Sequence, residues 1–245
     1  MRPRHFGFGL GVFPGLLLLA ACAMQAPSPK AHKPLTAPPN LTAPYAAAAA
    51  RGTPVYRLDP DASQVLILVG KAGALAGLGH IHAVVVGDLH GFALATRQHG
   101  GRADVYFPVR ALAVDPPAAR SALGGDYAKT KMNPNERDGT RKHMLGTAVL
   151  DAAHYPRVEL AILAPAVASD EARALTIRIR LRGVTRVLRA PAHYRVTPGR
   201  LRADGAFTLR QTEFGIQPYS ALLGALRVKN TLRIRYHLVF HRWRP

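Results

Sequence analysis

Between residues 175 and 182 the chain alternates without a break: Leu175, Ile177, Ile179 and Leu181 are interleaved with Thr176, Arg178, Arg180 and Arg182. Successive side chains of an extended strand point to opposite faces, so four aliphatic groups share one face and the guanidinium groups the other. One face lies against an apolar interior and the other meets water. A helix, with its 3.6-residue period, cannot separate the two sets.

The same period recurs. Leu188, Ala190, Ala192, Tyr194 and Val196 stand against Arg189, His193 and Arg195, and Leu232, Ile234, Tyr236, Leu238 and Phe240 against Arg233, Arg235, His237 and His241. Ala103, Val105, Phe107 and Val109 give a further case, with strand candidates at Gln64 to Val69, Ile81 to Ala95, Thr147 to Leu150, Val158 to Leu163 and Leu201 to Arg210. The total is about eight or nine strands. Gly100-Gly101, Thr197-Pro198-Gly199 and Ala203-Asp204-Gly205 read as turns, and the helices that parallel crossovers require are missing. The expected fold is therefore all-β and antiparallel. Such a sheet closes or folds over itself to remove its open edges, giving a barrel or a sandwich. The longest interruption runs from Asp115 to Gly146, and its polar stretch from Asn135 to Leu145 reads as a short surface helix or turn.

The first fifty residues follow a different rule. Arg2 and Arg4 precede an apolar stretch from Phe6 to Ala20, broken by Pro14 and several glycines, which suits a cleaved export signal over residues 1–21 better than a membrane span. Leu19-Ala20-Ala21-Cys22 resembles the bacterial lipobox, which implies that Cys22 is lipidated and becomes the processed N-terminus. Two or three acyl chains hold a protein at a bilayer effectively permanently. Ala23 after that cysteine implies, for a Gram-negative source, sorting to the outer membrane with the domain facing the periplasm. Residues 22–53 carry six prolines and the run Ala46 to Ala50, and read as a disordered tether, leaving residues 54–245 as one folded domain. Cys22 is the sole cysteine, so no internal disulfide and no catalytic Cys-His pair can form.

The formal charge of +19 needs a partner or a solvated face. The arginines alternate with apolar residues along strands rather than clustering with aromatics, which argues against nucleic acid. Anionic lipid headgroups suit such a face, each nearby cation contributing about 1 kcal/mol.

Signals for chemistry are sparse. On a strand His80 and His82 would share a side and could reach one metal or haem, with His90 or His143 as further ligands. Gly73, Gly77 and Gly79 lead into the strand-like His82-Ala83-Val84-Val85-Val86, so the helix N-terminus of a phosphate loop is lacking. No Gly-x-Ser-x-Gly elbow is present, and nothing in the sequence points to catalysis.

Several motifs occur in a fixed order: Tyr56-Arg57-Leu58-Asp59-Pro60 with Ser63, Arg137-Asp138, Met144-Leu145-Gly146, Leu150-Asp151 and Tyr155-Pro156. Leu181-Arg182-Gly183-Val184-Thr185-Arg186, Phe207-Thr208-Leu209 and Glu213-Phe214-Gly215-Ile216 follow them. In this order the chain resembles the YceI-like family from Tyr56 to His241, departing from its simplest pattern at Gly79-His80-Ile81-His82 and over Pro116 to Pro134. The resemblance implies a lipocalin-like barrel that binds or carries a polyisoprenoid or quinone-like lipid and performs no covalent chemistry. It implies an apolar wall as the binding element, for which Val105, Phe107, Ile177, Ile179, Ile234, Tyr236 and Leu238 are the candidates. The competing expectations are a metal- or haem-binding barrel built on His80 and His82, and a structural envelope protein whose barrel is packed shut.

Overall fold

The computed structural model describes residues 39–96, 100–166 and 172–245. The expected export signal and the expected lipidation site Cys22 lie outside them. In chain order the elements are α1 (Thr42–Ala50), β1 (Val55–Leu58), β2 (Gln64–Ala72), β3 (His82–Val86), β4 (His90–Thr96), β5 (Gly100–Pro108) and β6 (Leu112–Val114). Then come α2 (Pro117–Leu123), α3 (Gly125–Lys129), α4 (Pro134–Leu145), β7 (Arg157–Ala164), β8 (Arg173–Leu181), β9 (Val184–Val196), β10 (Arg200–Arg210), β11 (Ser220–Ala221) and β12 (Leu226–Arg242).

All pairings are antiparallel, and β1-β4-β5-β7-β8-β9-β10-β12 closes into a ring through β12 and β1. The expected barrel is thus present, with eight strands in its closed ring. More strands appear than the alternation suggested because three long strands are each broken in two. Along β12, Phe240 faces Leu58 of β1, and His237 already faces Gln64 of β2. The four residues that separate Asp59 from Gln64 form a kink, in which the Asp59 carboxylate accepts from the amides of Asp61 and Ala62. The candidate strand Ile81 to Ala95 is likewise two, β3 and β4, divided at Gly87 and Asp88, the latter in the left-handed region (φ 50°). Residues 109–111 divide β5 from β6. These breaks bend the sheet into two directions, so that β2, β3 and β6 continue the wall past the closed ring.

The outer edge of β6 would present unpaired carbonyls. The Arg141 guanidinium of α4 covers it, donating to Leu112 O at 3.2 Å and Arg110 O at 2.6 Å. Helix α4 starts where a helix is well specified: Asn133 caps the Glu136 amide while the Glu136 side chain returns to the Asn133 amide, with Pro134 in the first turn. The polar Asn135 to Leu145 stretch is therefore a helix, as expected.

Two expectations are corrected. Thr147 to Leu150 is a turn, not a strand: Val149, Leu150 and Asp151 hydrogen-bond back to Gly146 and Met144. And part of the presumed tether is structured. Helix α1 contains the alanine run, whose high helix propensity outweighs the upstream prolines, and it buries Tyr45 and Ala48, three residues apart on one face. The Tyr45 ring stacks on Phe92 at 5.2 Å, and Phe92 meets Trp243 edge-on at 4.9 Å. Phe92 faces outward from β4, opposite Asp104, so α1 exists here to cover an apolar patch on the outside of the barrel.

Candidate functional site

Residues of the alternating strands that face inward do not fill the barrel. They surround a cavity of about 570 Å³ that runs from Thr96, Gly101 and Leu201 at one end to Val114, Leu181 and Val228 at the other. This lies within the roughly 300–1,000 Å³ range of small-molecule sites. The expectation of a barrel packed shut fails on this point. All seven wall candidates, Val105, Phe107, Ile177, Ile179, Ile234, Tyr236 and Leu238, line the cavity. Their placement follows from strand period alone. Register sets them beside one another: Phe107 faces Val158, Ile179 faces Leu160, and Tyr236 faces Val65 across β2.

Tyr236 is the one wall candidate with a polar atom. Its ring crosses β10 at Gly205, where an added Cβ would lie 2.4 Å from the hydroxyl. That hydroxyl is buried without a hydrogen-bond partner, and burial, reinforced by the nearby Asp204 charge, pushes its pKa up to about 12. It stays protonated and presents the cavity with an aromatic face.

Among the polar residues of the wall, which include Arg102, His143 and Gln211, His82 stands near the end where α4 sits. His82 lines the cavity, and its Nδ1 lies 2.6 Å from Asp115. Asp115 is fully buried in the left-handed region just after β6. Its other oxygen accepts from Arg120 at 2.5 Å and from the Ala83 amide at 2.8 Å. Arg120, also buried, donates further to Ile81 O at 3.0 Å and Thr130 O at 3.1 Å. Burial raises the Asp115 carboxyl pKa, but the hydrogen bonds from His82 and Ala83 and the Arg120 contact outweigh it, so the net shift is downward. The arrangement fixes the imidazole: with Nδ1 held by the carboxylate, Nε2 is the atom left to address a ligand.

The histidine pair is not brought to one point. His80 precedes β3, is exposed, and sits with Nδ1 3.1 Å from Met132 Sδ, while His82 turns to Asp115. His90 pairs with Asp88 at 2.8 Å and stacks on Tyr106. His143 lines the cavity and meets Tyr219 edge-on at 4.8 Å. Among the described residues, no group of three or more His, Cys, Asp or Glu side chains is arranged to hold a metal ion. Sequence reading missed Asp115 and Arg120 because they lie more than thirty residues from His82, within the interruption rather than in a strand.

An eight-stranded antiparallel barrel around an apolar cavity is a lipocalin-like architecture. More narrowly, the model of the YceI-like domain matches residues 56–240, and the chain belongs to that family. Among solved structures it is similar to BcnA of Burkholderia cenocepacia, at a TM-score of 0.54 and 14% identity over 74% of this chain and 98% of that one. It is also similar to a polyisoprenoid binding domain from Saccharophagus degradans implicated in plant cell wall breakdown. There the TM-score is 0.52 and the identity 12%, over 77% of this chain and 98% of that one. No curated protein matches the sequence.

Proposed function

We propose that this protein binds a long apolar lipid of the polyisoprenoid or quinone-like class inside its barrel, and sequesters or carries it in the bacterial cell envelope. The observation that carries this reading is the cavity of about 570 Å³ with aliphatic and aromatic walls along the whole barrel. A closed core would have been more stable, since each cavity forfeits packing. Family membership supports the reading, as does the solved neighbour described as a polyisoprenoid binding domain. His82, oriented by Asp115, is the group that hydrogen-bonds a polar head such as a quinone carbonyl or terminal hydroxyl. We read the role as binding rather than catalysis. The lipobox-like residues ending at Cys22 support attachment to a membrane by acyl chains, and Ala23 after them supports the outer membrane of a Gram-negative cell, with the barrel in the periplasm.

The test is mass spectrometry of an organic extract from Cys22→Ser protein, produced in a bacterial envelope and purified without denaturant. A stoichiometric isoprenoid-type lipid supports the proposal. An empty extract, together with failure to take up added long-chain ubiquinone, overturns it.

A further inference from the structure

Two turns at the His82 end of the barrel abut each other. The turn over residues 73–79 links β2 to β3, and the turn over residues 222–225 precedes β12. Leu75 N donates to Ala225 O at 2.8 Å, and Gly73 packs so tightly on Ala225 that a Cβ there would lie 2.3 Å from its carbonyl oxygen. These turns expose large apolar side chains. Leu78 is 69% exposed, Leu222 60%, and Leu223 fully, with Leu75 and Tyr219 also open to solvent. Scattered surface leucines need no explanation, but most of the large exposed hydrophobic residues of the described chain gather on this one tip. Leu222 and Leu223 stand in the left-handed region, at φ 51° and 55°, which branched side chains adopt only under strain.

Charge and cavity converge on the same tip. From Lys71 to Gly87, and from Phe214 to the last residue, the sequence holds no Asp or Glu. Arg227 and Lys229 at the start of β12 are exposed, and Lys71 reaches across the first turn to Gly79 O at 2.9 Å. Tyr219 and Val228 are cavity-lining residues as well as members of this tip, so the cavity reaches the surface beside the exposed leucines.

The geometry points to this tip as a docking surface for an anionic lipid bilayer, with Leu78, Leu222 and Leu223 entering the acyl boundary and Lys71, Arg227 and Lys229 meeting headgroup phosphates. Apolar side chains flanked by cations, with no acid in either segment that builds the tip, match the two attractions of such a surface: burial of hydrocarbon and neutralisation of negative charge. The inference deepens the lipid-binding reading, because docking there sets the cavity mouth against the source of its ligand. It does not need that reading, since an empty barrel would dock equally.

The test uses the full chain carrying Cys22→Ser, which removes the lipidation site, with one new cysteine bearing an environment-sensitive dye. At Leu223→Cys, phosphatidylglycerol vesicles are expected to shift the emission to the blue, while at Pro198→Cys, in the exposed turn between β9 and β10 at the opposite end, the dye stays water-like. Added Leu78→Ser and Leu222→Ser should weaken the vesicle partition by about tenfold or more. High salt or replacement by phosphatidylcholine should weaken it as well. No shift at Leu223→Cys, or an equal shift at both ends, overturns the proposal. So does a shift that grows with protein concentration without vesicles, which would mark the tip as a self-association surface. Failed docking leaves the extraction result untouched, so the two readings fail separately.

Discussion

His82 Nδ1 and Asp115 Oδ2 lie 2.6 Å apart, joining the start of β3 to the residue after β6 across the cavity wall. With Arg120 on the other carboxylate oxygen, this ties the interrupted region, residues 115–146, to the barrel at a buried point. Asp115→Ala leaves Arg120 buried and uncompensated. We expect a loss of about 3–5 kcal/mol, measured by urea unfolding. Asp115→Asn, which keeps the shape and part of the hydrogen bonding, should lose less.

The same group sets a pH dependence. The Asp115 pKa is lowered on folding, so its contribution is fully present above the unfolded carboxylate value of about 4. It disappears as pH falls through the depressed folded value. The melting temperature should therefore drop below about pH 4, and part of that drop should be missing in Asp115→Asn. A drop of equal size in the variant would assign the acid sensitivity to other carboxylates.

At Gly205 the wall leaves no room for a side chain as the neighbours stand. A Cβ there meets the Tyr236 hydroxyl at 2.4 Å and the Pro191 carbonyl oxygen at 2.9 Å. Gly205→Ala should cost about 1–3 kcal/mol and turn the Tyr236 ring into the cavity, lowering the lipid recovered per barrel. Tyr236→Phe, which removes a buried hydroxyl without a partner, should be neutral or stabilising by up to about 1 kcal/mol in the same unfolding assay.

The wall was legible in the sequence because strand period is a local property. Ile177 and Ile179 needed only their arginine neighbours to be assigned inward, and both line the cavity. The motifs that carry the family resemblance have a structural reason that alternation could not reveal: they meet. Arg182 donates to Gly215 O at 2.7 Å and to Thr147 O at 3.0 Å, and Gly183 leaves room for the Tyr155 ring, where a Cβ would lie at 2.7 Å. Residues far apart in sequence thus meet at one end of the barrel. The Asp115 site and α1 stayed hidden for the complementary reason. Asp115 gains its partners through tertiary contact, and the alanine run gains its helix from an outward Phe92 that no periodicity marks as covered.

Helix α1 is held by a small apolar contact, by the hydrogen bond from Tyr45 Oη to Asp104 at 2.8 Å, and by the Arg102 guanidinium 5.5 Å over the Tyr45 ring. Tyr45→Ala should release it, at about 3 kcal/mol or somewhat more. Trp243, the only tryptophan, touches Phe92 under that helix and reports the event directly. We expect its emission to shift to the red in Tyr45→Ala at urea concentrations where circular dichroism still shows an intact sheet. Emission that changes only with global unfolding would mean that α1 and the barrel form one cooperative unit.

Two small-to-large substitutions separate empty space from packed core. Ile177 is buried but faces the cavity, whereas Val239 is equally buried, lies outside the cavity lining, and is tied through its backbone to the kink, where the Ser63 hydroxyl accepts from the Val239 amide at 2.9 Å. A larger ring at Ile177 enters unfilled volume, while at Val239 it meets atoms already in contact. Ile177→Trp should therefore keep stability within about 1 kcal/mol of the parent and sharply reduce bound lipid, as read by extraction and by ubiquinone uptake. Val239→Phe should cost about 1–3 kcal/mol and leave the lipid content of the folded fraction unchanged. If Ile177→Trp destabilises as strongly as Val239→Phe, the barrel interior has no room for a ligand, and the lipid-binding proposal falls with it.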